Sequence, residues 1–222
     1  TPPVNSCWIV FGSEGRKEQV FKTDQDNGLI YEDPETPEKA EEARTYFSGF
    51  TLLVRDSFMK CGFPQCPLDY MASNPQWCQP LRVWKKYFAD WIHEPSPEGV
   101  FKSLVFFDFR PIHGEFFLAE DLRDTIASQL DGRMLFFGSM ANTIIHNLPP
   151  LGFFKTFVVE KSGEHKDEFD LKLKGITPLV DAVRLFALEK GIRETSTIER
   201  IHALKDKHSI VKEYADELEY AF

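Results

Sequence analysis

A short turn near the start of the chain has the residue types that bind phosphate. Gly12 and Ser13 follow the apolar residues 7–11, which we expect to form a buried strand. Glycine lets the backbone approach a ligand closely, and serine favours the start of a helix, where free N–H groups attract anions. Arg16 adds positive charge nearby, and Glu18 can orient Arg16 through an ion pair. These four residues are our candidates for binding the phosphates of a nucleotide.

Two acidic residues that could hold metal follow the turn. Asp24 and Asp26 are two positions apart and precede the apolar residues 28–31, which also suit a buried strand. In extended chain, residues at this spacing point to the same side, so the two carboxylates would lie together and repel each other. A divalent cation removes that repulsion, and Mg²⁺ favours one or two carboxylates plus substrate phosphates. We therefore predict a site for Mg²⁺, with Mn²⁺ as the alternative, at Asp24 and Asp26.

The order of these features resembles the core of a known enzyme superfamily. The Gly-Ser turn followed by Asp-x-Asp is similar to nucleotidyltransferases of the DNA polymerase β and kanamycin nucleotidyltransferase type. The closer resemblance is to nucleotidyltransferases related to the N-terminal region of PII-uridylyltransferase, whose members often adjoin CBS or cyclic-nucleotide-binding domains. Further matching stretches lie at residues 71–77, 106–111, 149–154 and 170–172, so the resemblance covers nearly the whole chain.

The resemblance implies a third carboxylate from a separate strand. Residues 104–110 look strand-like, and Asp108 is the one acid among them. A lone carboxylate in an apolar run is costly to bury unless it is paired or metal-bound. We predict that Asp108 shares a metal with Asp24 and Asp26 and acts as the general base. The alternative is that Asp108 forms a salt bridge with Arg110.

A second candidate region lies in the later half of the chain. Residues 152–160 and 169–173 suggest a hairpin, in which Lys172 and Lys174 would point one way. Lys172 could then meet phosphates across a cleft, which makes it a further candidate nucleotide-binding residue. A solvated strand face explains the same pattern equally well.

The remaining segments are mostly helical. Thr36 and Pro37 predict a helix start, and Gly62 its end. Large apolar residues at helical spacing predict a second helix that packs in the core: Trp77, Leu81, Trp84, Phe88 and Trp91. Further helices are expected over 119–130, 135–146, 179–190, 197–207 and 210–221. The fold class we predict is α+β, with a mixed nucleotidyltransferase-type sheet and flanking helices over 1–113, followed by a mainly helical substrate-binding domain over 114–222.

Composition limits the partners. The 222 residues carry a net charge of −9, which argues against nucleic acid as a primary partner because phosphate backbones need a basic face. No stretch approaches the roughly 18 apolar residues of a membrane span, and no signal peptide is visible. Of the four cysteines, Cys61, Cys66 and Cys78 lie in one region without zinc-site spacing, which favours reduced thiols in the cytoplasm. We expect the chain to be part of a longer protein, truncated at its C-terminus.

The resemblance and the residues together imply metal-dependent nucleotidyl transfer. A nucleoside monophosphate would pass from a triphosphate to a hydroxyl group of a protein or small molecule, with release of pyrophosphate. A nucleotide-binding regulatory module that transfers nothing is the alternative, and a phosphohydrolase is a weaker third reading, since the scattered histidines offer no metal spacing.

Overall fold

The structure is a computed structural model that describes residues 1–19, 24–146, 171–207 and 210–222. Four strands form one sheet in the order β3-β2-β1-β4. The central strand β1 is antiparallel to both β2 and β4, whereas β2 and β3 are parallel. The strands are β1 (Ser6–Val10), β2 (Asn27–Tyr31), β3 (Cys78–Pro80) and β4 (Arg110–Gly114).

Helices account for most of the remaining described residues. Nine α-helices are found in the parts of the chain that the structure describes: α1 (Gly12–Gly15), α2 (Pro37–Lys60), α3 (Leu81–His93), α4 (Pro97–Phe106), α5 (Phe117–Leu130), α6 (Met134–His146), α7 (Thr177–Glu189), α8 (Thr197–Asp206) and α9 (Ala215–Ala221). Short 3-10 turns cover Pro75–Trp77 and Ile210–Tyr214, and a π-helical turn covers Lys172–Ile176. The predicted α+β class, with a small mixed sheet followed by a helical C-terminal part, is confirmed.

Alternate side chains of β1 point to opposite faces of the sheet, and both sets are buried. Cys7, Ile9 and Phe11 face the larger core, which α3, α4, α5 and α6 complete. Trp8 and Val10 face a smaller core, which α2 covers with Ala43 and Phe47. A third cluster joins α7, α8 and α9. The sheet that carries the candidate site is therefore held between helices on both sides.

Most predicted helices are present near their expected bounds. The Thr36 hydroxyl caps α2 by accepting from the Lys39 N–H, and Gly62 follows the end of that helix in a left-handed conformation (φ +89°). Trp84, Phe88 and Trp91 are buried in the larger core from α3, as predicted from their spacing. Trp77 is buried there too, but it ends a 3-10 turn and is separated from α3 by β3, so the predicted helix begins only at Leu81. No helix in the described residues is both long and apolar enough to cross a membrane.

The predicted strand over residues 104–110 is wrong. The chain forms α4 up to Phe106 and enters β4 at Arg110, so Asp108 lies in the link between them. Ser96 explains the helix, because its side chain accepts from the Gly99 N–H while Pro97 occupies the first turn. A short apolar run fits a buried helix as well as a strand, and the capping residues decide between them.

The predicted hairpin can be assessed only at its end. Residues 152–160 and 169–170 lie outside the described residues. The same is true of residues 149–154, one of the stretches that carry the family resemblance. Leu171 is helical and Lys172 begins the π-helical turn that leads into α7, so the strand expected over 171–173 is not present. The side chains of Lys172 and Lys174 are consequently presented from a helix.

Candidate active site

The Gly-Ser turn lies at the end of β1 and is closed by its own backbone. The Gly15 N–H donates to the Phe11 carbonyl over 2.9 Å, and the Arg16 N–H donates to the Gly12 carbonyl over 3.0 Å. Gly12 has a φ of +55°, a conformation that favours glycine. A Cβ at Gly12 would lie 3.6 Å from Asp26 Oδ2. The turn that we predict to hold phosphate therefore packs directly against one of the two predicted metal ligands.

Asp24 and Asp26 lie on one side of the chain, as their spacing predicts. One ligand atom from each of Asp24, Asp26 and Cys66 lies within 4.8 Å of the others. Gln25, between the two acids, points the other way and is buried, and its side-chain amide donates to the Phe63 carbonyl over 3.0 Å. The buried Gln25 amide thus fixes the segment that presents both carboxylates.

Burial makes Asp26 a weak acid by raising its pKa to about 6, and the neighbouring charge of Asp24 adds to the rise. The Cys66 thiol, which donates a hydrogen bond to Asp26, and the positive charge of Lys172 act in the opposite direction. Burial and the hydrogen bond to Asp26 raise the pKa of Cys66 to about 12. A divalent cation would remove the energetic penalty on ionised Asp26.

The donor set fits a divalent cation. Two adjacent carboxylates are ligands that Mg²⁺ and Mn²⁺ favour, whereas a thiol suits softer metals. Asp24 and Asp26 would hold the ion, and Cys66 borders the same position. Sequence reasoning missed Cys66, because its link to Asp26 spans 40 residues and leaves no spacing pattern.

Lys172 acts electrostatically on Asp26 although its predicted strand is absent. Its positive charge lowers the pKa of Asp26, which places the ammonium group within electrostatic range of the carboxylate. Lys172 lies at the start of the π-helical turn before α7. The C-terminal region therefore contributes a cation near the two acids.

Asp108 lies in a different setting from the other two acids. It is fully buried, and its carboxylate contacts three arginines that come from separate parts of the chain. Arg16 Nη1 lies 2.8 Å and Arg184 Nη2 2.6 Å from Asp108 Oδ2, and Arg200 Nη1 lies 2.7 Å from Asp108 Oδ1. Arg184 also pairs with Asp181. Arg110, the partner that we considered for Asp108, pairs instead with Glu14 over 2.7 Å.

These charges keep Asp108 ionised. Burial alone would raise the pKa of Asp108, but the charges of Arg184, Arg200 and Arg16 outweigh it and hold the pKa well below its usual range. Both carboxylate oxygens are engaged by guanidinium groups. Asp108 does not belong to the cluster of Asp24, Asp26 and Cys66. Its predicted role as a metal ligand and general base stays a prediction.

Arg16 and Glu18 form the predicted ion pair. Arg16 Nε donates to Glu18 Oε2 over 2.6 Å, while Arg16 Nη1 donates to Asp108. The other oxygen of Glu18 accepts from the Thr197 N–H over 2.6 Å, at the start of α8. Two carboxylates hold Arg16, so the predicted contact between Arg16 and phosphate also stays a prediction. Ser13, in the first turn of α1, is partly exposed beside Gly12.

Two family models match parts of this chain. One family model, described as "Putative nucleotidyltransferase DUF294", matches residues 1–98. A second, described as "Putative nucleotidyltransferase substrate binding domain", matches residues 134–222. The chain therefore contains both domains of the family described as "Putative nucleotidyltransferase DUF294". The search of curated proteins gave no match.

The residues of the candidate site are distributed over both matched regions of the chain. The turn, both clustered acids and Cys66 fall in the first match, and Lys172, Arg184 and Arg200 fall in the substrate-binding match. Asp108 lies between the two matched regions. The boundary that we predicted, between residues 113 and 114, lies in the same interval and stays a prediction.

Proposed function

We propose that this protein is a metal-dependent nucleotidyltransferase that acts on a nucleoside triphosphate. One observation supports the proposal most strongly, namely the packing of the Gly12 turn against Asp26, with Asp24 beside it. A turn that binds phosphates and a carboxylate pair that binds metal must lie side by side to hold a metal-bound triphosphate. The two family descriptions support nucleotidyl transfer in general.

Residues of the chain would divide the work as follows. Asp24 and Asp26 would hold Mg²⁺ or Mn²⁺, which neutralises the triphosphate and stabilises in-line displacement at the α-phosphorus. Backbone N–H groups around Gly12 and Ser13 would bind the outer phosphates, and Lys172 would add positive charge from the C-terminal region. An acceptor oxygen forms a bond to the α-phosphorus while the bond to the leaving pyrophosphate breaks.

The proton of the acceptor hydroxyl needs a base. The resemblance implies Asp108 for this role, which would require Asp108 to exchange an arginine contact for the metal or the acceptor. The acceptor itself is a hydroxyl of a protein or of a small molecule. We also propose that CBS or cyclic-nucleotide-binding domains in a longer chain would regulate this activity.

The setting of Asp108 also favours a second candidate function. With Asp108 neutralised by three arginines, the site offers two carboxylates to metal rather than three. A site of this kind could bind a nucleotide without transferring it, as in a regulatory module. Release of pyrophosphate separates the two functions, because binding alone releases none.

The decisive experiment measures binding before chemistry. Each of the four nucleoside triphosphates is titrated by calorimetry with and without Mg²⁺ into wild type, Asp24→Asn and Asp26→Asn. Asp90→Asn is the matched control, since Asp90 lies on α3 and pairs only with Lys86 among the contacts described. We expect metal-dependent binding by wild type and the control, weakened at least about a hundredfold in the two site variants, in line with loss of a metal ligand. Equal binding by all four proteins would refute the site.

The second stage tests transfer. Triphosphate labelled at the α-phosphate is incubated with the protein and a cell extract as the source of acceptors. Label in the protein or small-molecule fraction, together with pyrophosphate, is the expected result. Metal-dependent binding without either product would favour the regulatory module.

A further inference from the structure

Asp108 connects three separate elements. Arg16 follows the Gly-Ser turn, Arg184 lies in α7 and Arg200 lies in α8. The two helix residues are almost fully buried, with exposed fractions of 1% for Arg184 and 2% for Arg200. A buried carboxylate that loses such partners is strongly destabilised, so the contacts constrain the positions of all three elements. The turn is therefore tied to helices that lie more than 160 residues later in the chain.

Two further contacts join the turn to the start of α8. The Thr195 hydroxyl donates to the Gly15 carbonyl over 2.9 Å, and the Thr197 N–H donates to Glu18. Thr195 and Thr197 can therefore be substituted while the residues at positions 24 and 26 stay the same.

The backbone around Asp108 supports the turn as well. A Cβ at Gly15 would lie 1.9 Å from the Asp108 carbonyl oxygen, so the two backbones are in direct contact. The side chain of Asp108 fixes Arg16 from one side, and Glu18 fixes its Nε from the other. The guanidinium plane is thereby set by two charged hydrogen bonds.

We propose that Asp108 is a positioning residue through which α7 and α8 hold the phosphate-binding turn, so that the C-terminal helices set the affinity for triphosphate. The inference rests on the proposed function, because the turn must be the place where phosphates bind. A ligand that binds only the ordered turn has an apparent affinity proportional to the fraction of molecules in which the turn is ordered. Loosening the helix contacts lowers that fraction without changing the metal ligands.

The test uses the intact chain and substitutions far from the metal ligands. Arg184→Lys keeps the charge but loses the paired hydrogen bonds to Asp108, and Thr195→Val removes the hydroxyl contact with Gly15. Arg193→Lys is the matched control, because Arg193 is half exposed and pairs with Glu120 and Asp124 on α5. Circular dichroism establishes that each variant is folded. Thr195→Val keeps every charge and so serves if Arg184→Lys does not fold.

Three readouts are compared. We expect triphosphate to bind about tenfold more weakly to Arg184→Lys and about fivefold more weakly to Thr195→Val, as for loss of a charged and a neutral hydrogen bond. Binding of Mn²⁺ alone, followed by electron paramagnetic resonance, should equal that of wild type, which a general loss of structure would not allow. Backbone amides of residues 12–19 should exchange hydrogen faster in both variants and at the wild-type rate in the control.

The outcomes separate this inference from the proposed function. Triphosphate binding that is equal in wild type and both variants would overturn the inference alone. If wild type binds no triphosphate, the proposed function is overturned. The inference that α7 and α8 set the affinity for triphosphate then falls as well. Weaker Mn²⁺ binding by a folded Asp108→Asn variant, to the extent seen for Asp26→Asn, would make Asp108 a metal ligand and overturn its role as a positioning residue.

Discussion

The carboxyl group of Asp26 is held where ionisation is unfavourable without a cation. Burial and the charge of Asp24 raise its pKa from 3.8 to about 6. A raised pKa means that the folded protein binds the proton more tightly than the unfolded chain, so the proton stabilises the fold at low pH. This stabilisation is complete below about pH 4 and is lost as the pH rises through about 6.

Replacing Asp26 with asparagine should therefore stabilise the metal-free protein at neutral pH. A shift of about two pKa units, reduced for partial exposure, predicts a gain of about 1–3 kcal/mol in the free energy of unfolding at pH 7.5 and little change at pH 4. Urea unfolding in chelator at several pH values measures the gain. Asp90→Asn should show no such gain, and a variant that is less stable than wild type at pH 7.5 would contradict the prediction.

Residue spacing predicted only the local part of the site. The turn at Gly12 and the pair Asp24 and Asp26 could be found because each is encoded within a few positions. Asp108 was singled out, but Arg184 and Arg200 were not, since contacts 76 or more residues apart leave no periodicity. The nearest local signal for them is Asp181, three residues before Arg184 in a helix, a spacing that allows an ion pair.

At the scale of elements, α1 fits against the link between α4 and β4 with no room to spare. The clash expected for a Cβ at Gly15, 1.9 Å from the Asp108 carbonyl oxygen, involves backbone that cannot rotate away. Gly138, in α6, has no atom within 4 Å of a Cβ built on it. A side chain is therefore excluded at Gly15, whereas there is open space for one at Gly138.

Alanine substitutions should separate these two positions. Gly15→Ala is expected to lower the free energy of unfolding by about 3 kcal/mol, as for an overpacked site. Gly138→Ala should raise it by about 0.5–1 kcal/mol, because alanine has the higher helix propensity. Denaturant titrations of both variants check the pair, and equal effects at the two positions would show that the contact with Asp108 is not rigid.

Helix ends were easier to predict than whether a short apolar run forms a helix or a strand. Thr36 and Pro37 placed the start of α2 correctly, because a cap and an N1 proline act within one turn. The run at 104–110 was misread as a strand, although Ser96 and Pro97 carry the same type of signal for α4. The apolar residues of that run are buried on several sides, so their pattern has no single period to read.

At the scale of the whole molecule, the larger core crosses the predicted domain boundary at residue 113. The larger core contains Ile9 and Trp84 from before that residue, and Leu122, Phe136 and Met140 from after it. Asp108 adds charged contacts to α7 and α8. The part that carries the acids is thus built on side chains from both sides of the boundary.

A fragment that ends at residue 113 should not fold on its own. It would expose the apolar surface that α5 and α6 cover and would leave Asp108 buried without Arg184 and Arg200. We expect the intact chain to unfold in one cooperative transition, and the fragment to show none, in thermal scans followed by circular dichroism. A cooperative transition in the fragment would instead support an independent domain over 1–113.

The main-chain hydrogen bond between Phe11 and Asp26 bears on how this site can evolve. The Phe11 N–H donates to the Asp26 carbonyl over 3.1 Å and so fixes the separation between the turn and the clustered acids. Because no side chain takes part in this bond, substitution at either position cannot remove it, except by proline at Phe11. Sequence drift can therefore alter what the site recognises, while the spacing between its two halves is inherited unchanged.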